Sequence, residues 1–337
     1  MKLSKYILFL TCVFILIMGC NPSTRLEPDV LSREKYKEHL KGFWLGQCIA
    51  NWTGLVTEMD KIGNIGDIKT GAFYTREDWG KKDLPNIWGE EKGHLSPTID
   101  FVFKDTNEIW GADDDTDIEY IYQHLLYTNK TLFLTPNQIK TGWLKHIKAD
   151  EENYLWVSNQ KAFDLMQKGI LPPETSAPKN NEFYDMIDAQ LTTEIFGLFA
   201  PGQPEIALKM AKLPIQTTAR GNAEYIAQFY VMMHSLIAKS TFKNKPKNKK
   251  ALFDAAQKAR KLLPDSTYSA KMYDFVYRQY QQRIPWEQTR DSLYKRYQVE
   301  QMDGYDITSR NMHCNGCFAA GINFGASLIS LFYGEGN

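Results

Sequence analysis

From residue 33 onward, apolar side chains recur every three or four positions, and no stretch sustains an alternation of apolar and polar residues. That rhythm belongs to helices rather than strands, and it limits the chain to a mainly helical fold. Ser32 is placed to N-cap a helix from Arg33 to about Ala50, with Tyr36, Leu40, Phe43, Trp44 and Leu45 as its apolar stripe. Residues 118, 121, 122, 125 and 126 share one face of a helix over 116–126. Further helices are expected at 136–148, 154–168, 186–198, 204–212, 220–238, 249–263, 268–282, 286–299 and 315–333. Pro136, Pro204, Pro214, Pro264 and Pro285 fall near the predicted helix edges, where a missing N–H costs least. The exception is Asp60 to Trp110, rich in Gly and carrying Trp79, Trp88 and Trp110, which reads as irregular loops with short strands near Asp100–Phe103. The expectation is an all-α helical bundle with a loop-rich insertion.

At 337 residues the chain has ample material for one large core. Its 40 basic and 40 acidic side chains balance, which argues against a nucleic-acid partner. A mean hydropathy of −0.43 excludes a polytopic membrane protein but not one short apolar segment. Such a segment opens the sequence. Lys2 and Lys5 precede the apolar run Ile7–Met18, which closes on Gly19-Cys20. The run is short for a bilayer span, and a small residue before a Cys resembles the lipobox of bacterial lipoproteins. An uncleaved signal anchor is the alternative. On the lipoprotein reading, residues 1–19 are a removable signal and Cys20 is the lipidated first residue. Residues 20–32, with Pro22 and Pro28, are a tether, and 33–337 form the domain. The protein is then expected outside the cytoplasm, anchored to a bacterial membrane.

The most informative local run is Asp113-Asp114-Asp115-Thr116-Asp117-Ile118-Glu119. Thr116 and Glu119 have capping-box spacing, so a helix is expected to start there with three carboxylates at its N-terminus. Capping and the helix dipole account for one acid. Three adjacent acids repel one another unless a cation relieves them, and hard oxygens suit Mg²⁺, Mn²⁺ or Ca²⁺.

Leu45, Gly46, Gly54 and Glu58 form a second pattern upstream, with Gly54 expected to end the first helix. In this order the two segments resemble the ADP-ribosylglycohydrolase family, whose opening helix carries an L-G-x-x-x-G-D-A-x-G-x-x-x-E pattern and whose next motif is T-D-D-T. Here Ala50 stands for a Gly, Asn51 for the Asp, and Asp113 for the first Thr. Phe196 to Gly202, Ala207 to Ala211 and Gly221 to Ile237 also resemble the family's middle helices. The N-G-x-x-M-R pattern is altered around Asp188–Glu194. The resemblance implies an orthogonal helical bundle with a two-metal Mg²⁺ or Mn²⁺ site. Carried over by position, Asp113, Asp114 and Asp115 are ligands and Glu58 is the acid at the scissile bond. It implies hydrolysis of an N- or O-glycosidic bond of ADP-ribose or a related ribosyl compound, free or attached to a protein. The family's remaining ligands come from a C-terminal D-x-D motif. No Asp follows Asp306, so the domain is expected to be C-terminally incomplete or to have lost half its site. The second expectation is accordingly a non-catalytic binding lipoprotein on a degenerate hydrolase fold. A third is a metal-independent glycosidase pairing Glu58 with one of Asp113–Asp115.

Other patterns weigh less. Cys314-Asn315-Gly316-Cys317 is one C-x-x-C, too few ligands for structural zinc, and reads as a local disulfide or two packed thiols. Cys48 is expected in the core. Gly321-x-x-x-Gly325 reads as close helix packing rather than a transmembrane dimer motif. The Lys243–Lys250 run reads as a solvated inter-helix loop, and the His residues show no spacing that suggests a cluster. Trp79, Trp88 and Trp110 could stack a sugar or adenine ring, or form a local core.

Overall fold

A computed structural model describes residues 31–89, 96–109, 113–149, 154–240, 245–306 and 314–334. Residues 1–19, expected as a removable signal, Cys20, the expected tether up to residue 30, and Trp110 lie outside the described residues. The chain divides into two compact units, Met1–Glu38 and His39–Asn337. In the first, the Ser32 hydroxyl accepts from Lys35 N at 3.1 Å and its carbonyl from Tyr36 N at 2.9 Å, the cap expected from the sequence.

The helices are α1 (Arg33–Val56), α2 (Asp114–Asn129), α3 (Pro136–His146), α4 (Val157–Gln167), α5 (Asp188–Thr192) and α6 (Ile195–Phe199). They continue as α7 (Pro204–Thr218), α8 (Asn222–Ala238), α9 (Lys245–Ala259), α10 (Tyr268–Gln281), α11 (Trp286–Tyr294) and α12 (Ala320–Tyr333). Among the described residues there is no sheet, so the chain is all-α as the spacing predicts. In the second unit, α8 is the hub. Helices α5, α6, α7, α9 and α12 pack on it. Phe229 at its centre meets Tyr273 of α10 and Phe324 of α12 edge to face, with ring centroids 5.9 and 5.1 Å apart. Fully burying one such ring contributes about 1.5–3 kcal/mol.

Two close approaches set the spacing. A Cβ on Gly197 of α6 would lie 2.5 Å from the Val231 carbonyl oxygen of α8, so only glycine lets these backbones touch. Gly321 and Gly325 of α12 admit the Tyr305 ring and the Leu293 side chain. The G-x-x-x-G spacing therefore serves core packing, and among the described residues no helix is long and apolar enough to cross a membrane.

Several expectations shift. α1 runs past Gly54 to Val56, and Leu45 is exposed rather than part of the buried stripe. Cys48 is a free, partly buried thiol. α2 begins at Asp114 with Asp113 as N-cap, because the Asp113 carboxylate reaches Thr116 N at 3.0 Å; Thr116 is inside the helix. The helix expected at 186–198 breaks at Thr193–Glu194 into α5 and α6. Pro214 lies within α7, where its missing N–H leaves a gap in the ladder that the buried flanks tolerate. α9 starts at Lys245, so Lys245, Lys247, Lys249 and Lys250 are helical rather than in a loop, Lys243 lies outside the described residues, and Lys250 pairs with Asp254 at 2.6 Å. α12 starts only at Ala320, because residues 314–317 close a Cys314–Cys317 disulfide. In place of strands near Asp100–Phe103, one isolated antiparallel bridge joins Lys82 and Thr98.

Candidate active site

The N-terminal turn of α2 gathers carboxylates from three elements. Asp113 caps it, Asp114 and Asp115 follow, and Glu119 points inward one turn later with no exposed surface. Asp188 comes from α5, and Glu194 from the break between α5 and α6. Among the described residues no Lys or Arg forms an ion pair with any of these six acids.

Amides and backbone N–H groups hold them instead. Asn51 of α1 donates to Asp113 Oδ2, and Gln47, one turn earlier, donates to Glu119 Oε2 at 2.5 Å. Glu119 Oε1 accepts from Ile195 N at 3.0 Å, so one carboxylate of α2 ties α1 and caps α6. Asp188 Oδ1 accepts from Asn159 N at 2.8 Å, capping α4, and the Asn159 side chain reaches Asp115 Oδ1 at 3.3 Å.

The electrostatics follow from burial and crowding. Burial, then the Asp188 and Asp113 charges, push Asp114 up to about 7. Asp115 is raised well above the carboxylate range by burial and then by Asp114 and Asp188. Burial lifts Asp188 to about 6 and Glu194 to about 8. Glu119 is raised by burial and by Glu194 beside it. A site that pushes this many carboxyls upward must hold either protons or a cation.

Four buried acceptors here have no hydrogen-bond donor: Gln47 Oε1, Asn51 Oδ1, Asn159 Oδ1 and Asp188 Oδ2. Orphaned hard oxygens beside uncompensated carboxylates are the donor chemistry of a Mg²⁺ or Mn²⁺ site. Among the described residues no three His, Cys, Asp or Glu side chains converge to hold an ion as they stand. The donor set fits in kind, with amide oxygens as part of it.

Of the residues singled out from sequence, Asp113, Asp114 and Asp115 sit together in this cluster. Both Asp113 oxygens are already engaged, by Asn51 and by Thr116 N. Glu58 follows α1 in a solvent-exposed turn. Sequence reasoning missed Glu119, Asp188 and Glu194 as site residues. The signal for the last two was the altered motif around 188–194, and Glu119 had been read as half of a capping box. His124 and His146 also pair unforeseen, with ring centroids 4.9 Å apart where α2 meets α3.

Searches of curated proteins and of solved structures return no match. The family model described as ADP-ribosylglycohydrolase matches residues 32–337. With an all-α fold and an acid-lined α2 N-terminus inside that span, the chain belongs to the ADP-ribosylglycohydrolase family.

Proposed function

We propose that this protein hydrolyses an N- or O-glycosidic bond of ADP-ribose or a related ribosyl compound, with Mg²⁺ or Mn²⁺ at the carboxylate cluster. Family membership supports glycohydrolase activity, and one observation carries the site: half-buried and buried carboxylates from α2, α5 and the α5–α6 break crowd one another without a cationic side chain paired to them among the described residues. Asp114, Asp115 and Asp188 would hold the cation, with the Asn159 and Asn51 carbonyl oxygens as further donors. Bound there, it would supply charge for gripping ribose hydroxyls and for lowering the pKa of a water.

The chain's own residues do the rest. Asn159 orients Asp115 through its amide while its backbone N–H fixes Asp188, so two acids from different helices keep one spacing. Asp113 holds the turn that presents Asp114 and Asp115. Glu58, in the exposed turn after α1, is the acid we assign to activating the attacking water. Carboxylates near the ribose also favour the positive charge of an oxocarbenium-like transition state.

The residues 1–19 signal and the lipid at Cys20 are part of the same proposal, placing the activity on the outer side of a bacterial membrane. The Cys314–Cys317 disulfide is in keeping with an oxidising compartment. Release of ADP-ribose from ADP-ribosylated peptides, or of the base from nucleosides, should require Mn²⁺ or Mg²⁺ and stop in EDTA. It should also be lost in Asp115→Asn. Turnover unaffected by EDTA would overturn the cation's role.

A second reading is favoured by one contact. Asn51 engages an Asp113 oxygen that a cation would otherwise take, which suits a binding protein on a hydrolase fold. Calorimetry separates the two: no Mn²⁺ binding and no turnover would favour the second.

A further inference from the structure

None of the six clustered carboxylates lines a pair of cavities of about 500 Å³ each that share Arg76 and Trp286. Volumes of this size suit a ligand of several rings rather than an ion. One cavity is walled by Tyr74, Asp78, Trp79 and Ile99 of the loop-rich insertion. The other is walled by Tyr280, Arg283 and Glu287 around the start of α11.

The aromatic walls are held in place: Trp286 is half-buried against the core with the Arg290 guanidinium over its ring, while the Trp79 face stays open. Trp79 is 51% exposed, although its loop is pinned on both sides. Gly80 N donates to Ile99 O at 2.8 Å, and Ile99 N donates to Lys81 O at 2.9 Å. Phe101 braces the Trp79 ring edge to face at 4.9 Å. Thr75 and Asp78 form a capping box that sets the turn carrying Arg76. Arg290 joins the two halves: its guanidinium lies 5.3 Å from the Trp286 ring and donates to the Tyr74 carbonyl. Leaving a Trp face in water forgoes about 25 cal/mol for each Å². A loop this well fixed has no packing reason to do so.

The charges select the ligand. Arg76 and Arg283 line the two cavities together with Glu287 and with Asp78, which pairs with Lys81 at 3.1 Å. A phosphate bound there would sit among carboxylate as well as guanidinium groups. A neutral polyhydroxylated ring meets no such repulsion. Its hydroxyls donate to carboxylates and accept from guanidinium, and its apolar C–H face stacks on an aromatic ring.

We infer that the paired cavities bind a neutral oligosaccharide, with sugar rings stacked on Trp79 and Trp286 and with Arg76 hydrogen-bonding between them. This goes beyond the hydrolase reading and stands without it. The test titrates the full chain by calorimetry with maltohexaose, chitohexaose and xylohexaose, and separately with AMP. At least one hexasaccharide should bind with a Kd below about 10 mM. Trp79→Ala, at an exposed position, should keep the thermal melt and weaken binding about fivefold to tenfold. Arg76→Ala should weaken it as well, and Asp115→Asn should leave it unchanged. Failure of all three sugars, binding of AMP alone, or sugar binding indifferent to Trp79→Ala and Arg76→Ala would each overturn the inference.

Discussion

Asn51 of α1 donates its side-chain amide to Asp113, the residue that caps α2. The contact spans 62 residues of sequence and joins the two segments on which the family resemblance rests. An amide there relieves one carboxylate without adding a charge. In Asn51→Asp, a seventh acid would face the other six. Its metal-free melting temperature should fall at neutral pH, by the equivalent of about 1–3 kcal/mol. Mn²⁺ should recover more of that loss than it adds to the parent chain. Differential scanning calorimetry with and without metal measures both, and equal metal effects would contradict a cation at this cluster.

Asp114→Asn and Asp115→Asn should abolish Mn²⁺ binding in calorimetry without unfolding the chain. Both acids are disfavoured as anions by burial and by their neighbours. Neutral isosteres should therefore raise metal-free stability near pH 8, by about 1 kcal/mol or more. A loss of stability would mean that the carboxylates act chiefly as caps.

The pH dependence follows from the same crowding. Burial first, and for Asp114 and Glu194 neighbouring acids as well, pushes Asp188, Asp114 and Glu194 up to about 6, about 7 and about 8 in the folded chain, all above their unfolded values of about 4. Between those limits the folded state binds more protons than the unfolded state. Stability is thus fully present below about pH 4 as far as these groups are concerned, and is lost as pH rises through their folded values. In EDTA, urea unfolding should show a stabler chain at about pH 5.5 than at about pH 8.5. Saturating Mn²⁺ should narrow the difference. A flat profile would show that the acids ionise freely.

Gly197→Ala should destabilise by about 1–3 kcal/mol, since its Cβ would fall 2.5 Å from the Val231 carbonyl and 2.7 Å from His234 Cβ. Gly54→Ala, inside α1 with nothing within 4 Å, should instead gain up to about 1 kcal/mol from helix propensity. Thermal melts of the two variants side by side check the contrast.

Helix positions were legible because their cause is local. Apolar spacing marked α2, α7, α8 and α10, and Ser32 marked the start of α1. The breaks were less so. Thr193–Glu194 interrupts a helical pattern because Glu119, 76 residues from Ile195, caps the new start at α6. No window of sequence contains that partner. The same applies to the site. Asp113–Asp115 stood out as a run, whereas Asp188 and Glu194 are single acids, six residues apart in a mixed stretch, that only folding brings beside it. Trp79 was ambiguous between core and platform, since exposure depends on what packs over a residue.

Glu119 has one more consequence. Its two oxygens join α1, α2 and α6, so replacing it would loosen three helices at once. Drift that discards catalysis but still requires a folded product would keep Glu119 and release Asp114. In diverged copies of this chain, Glu119 would then record only that the protein still folds. Asp114 would record whether the chemistry is still in use.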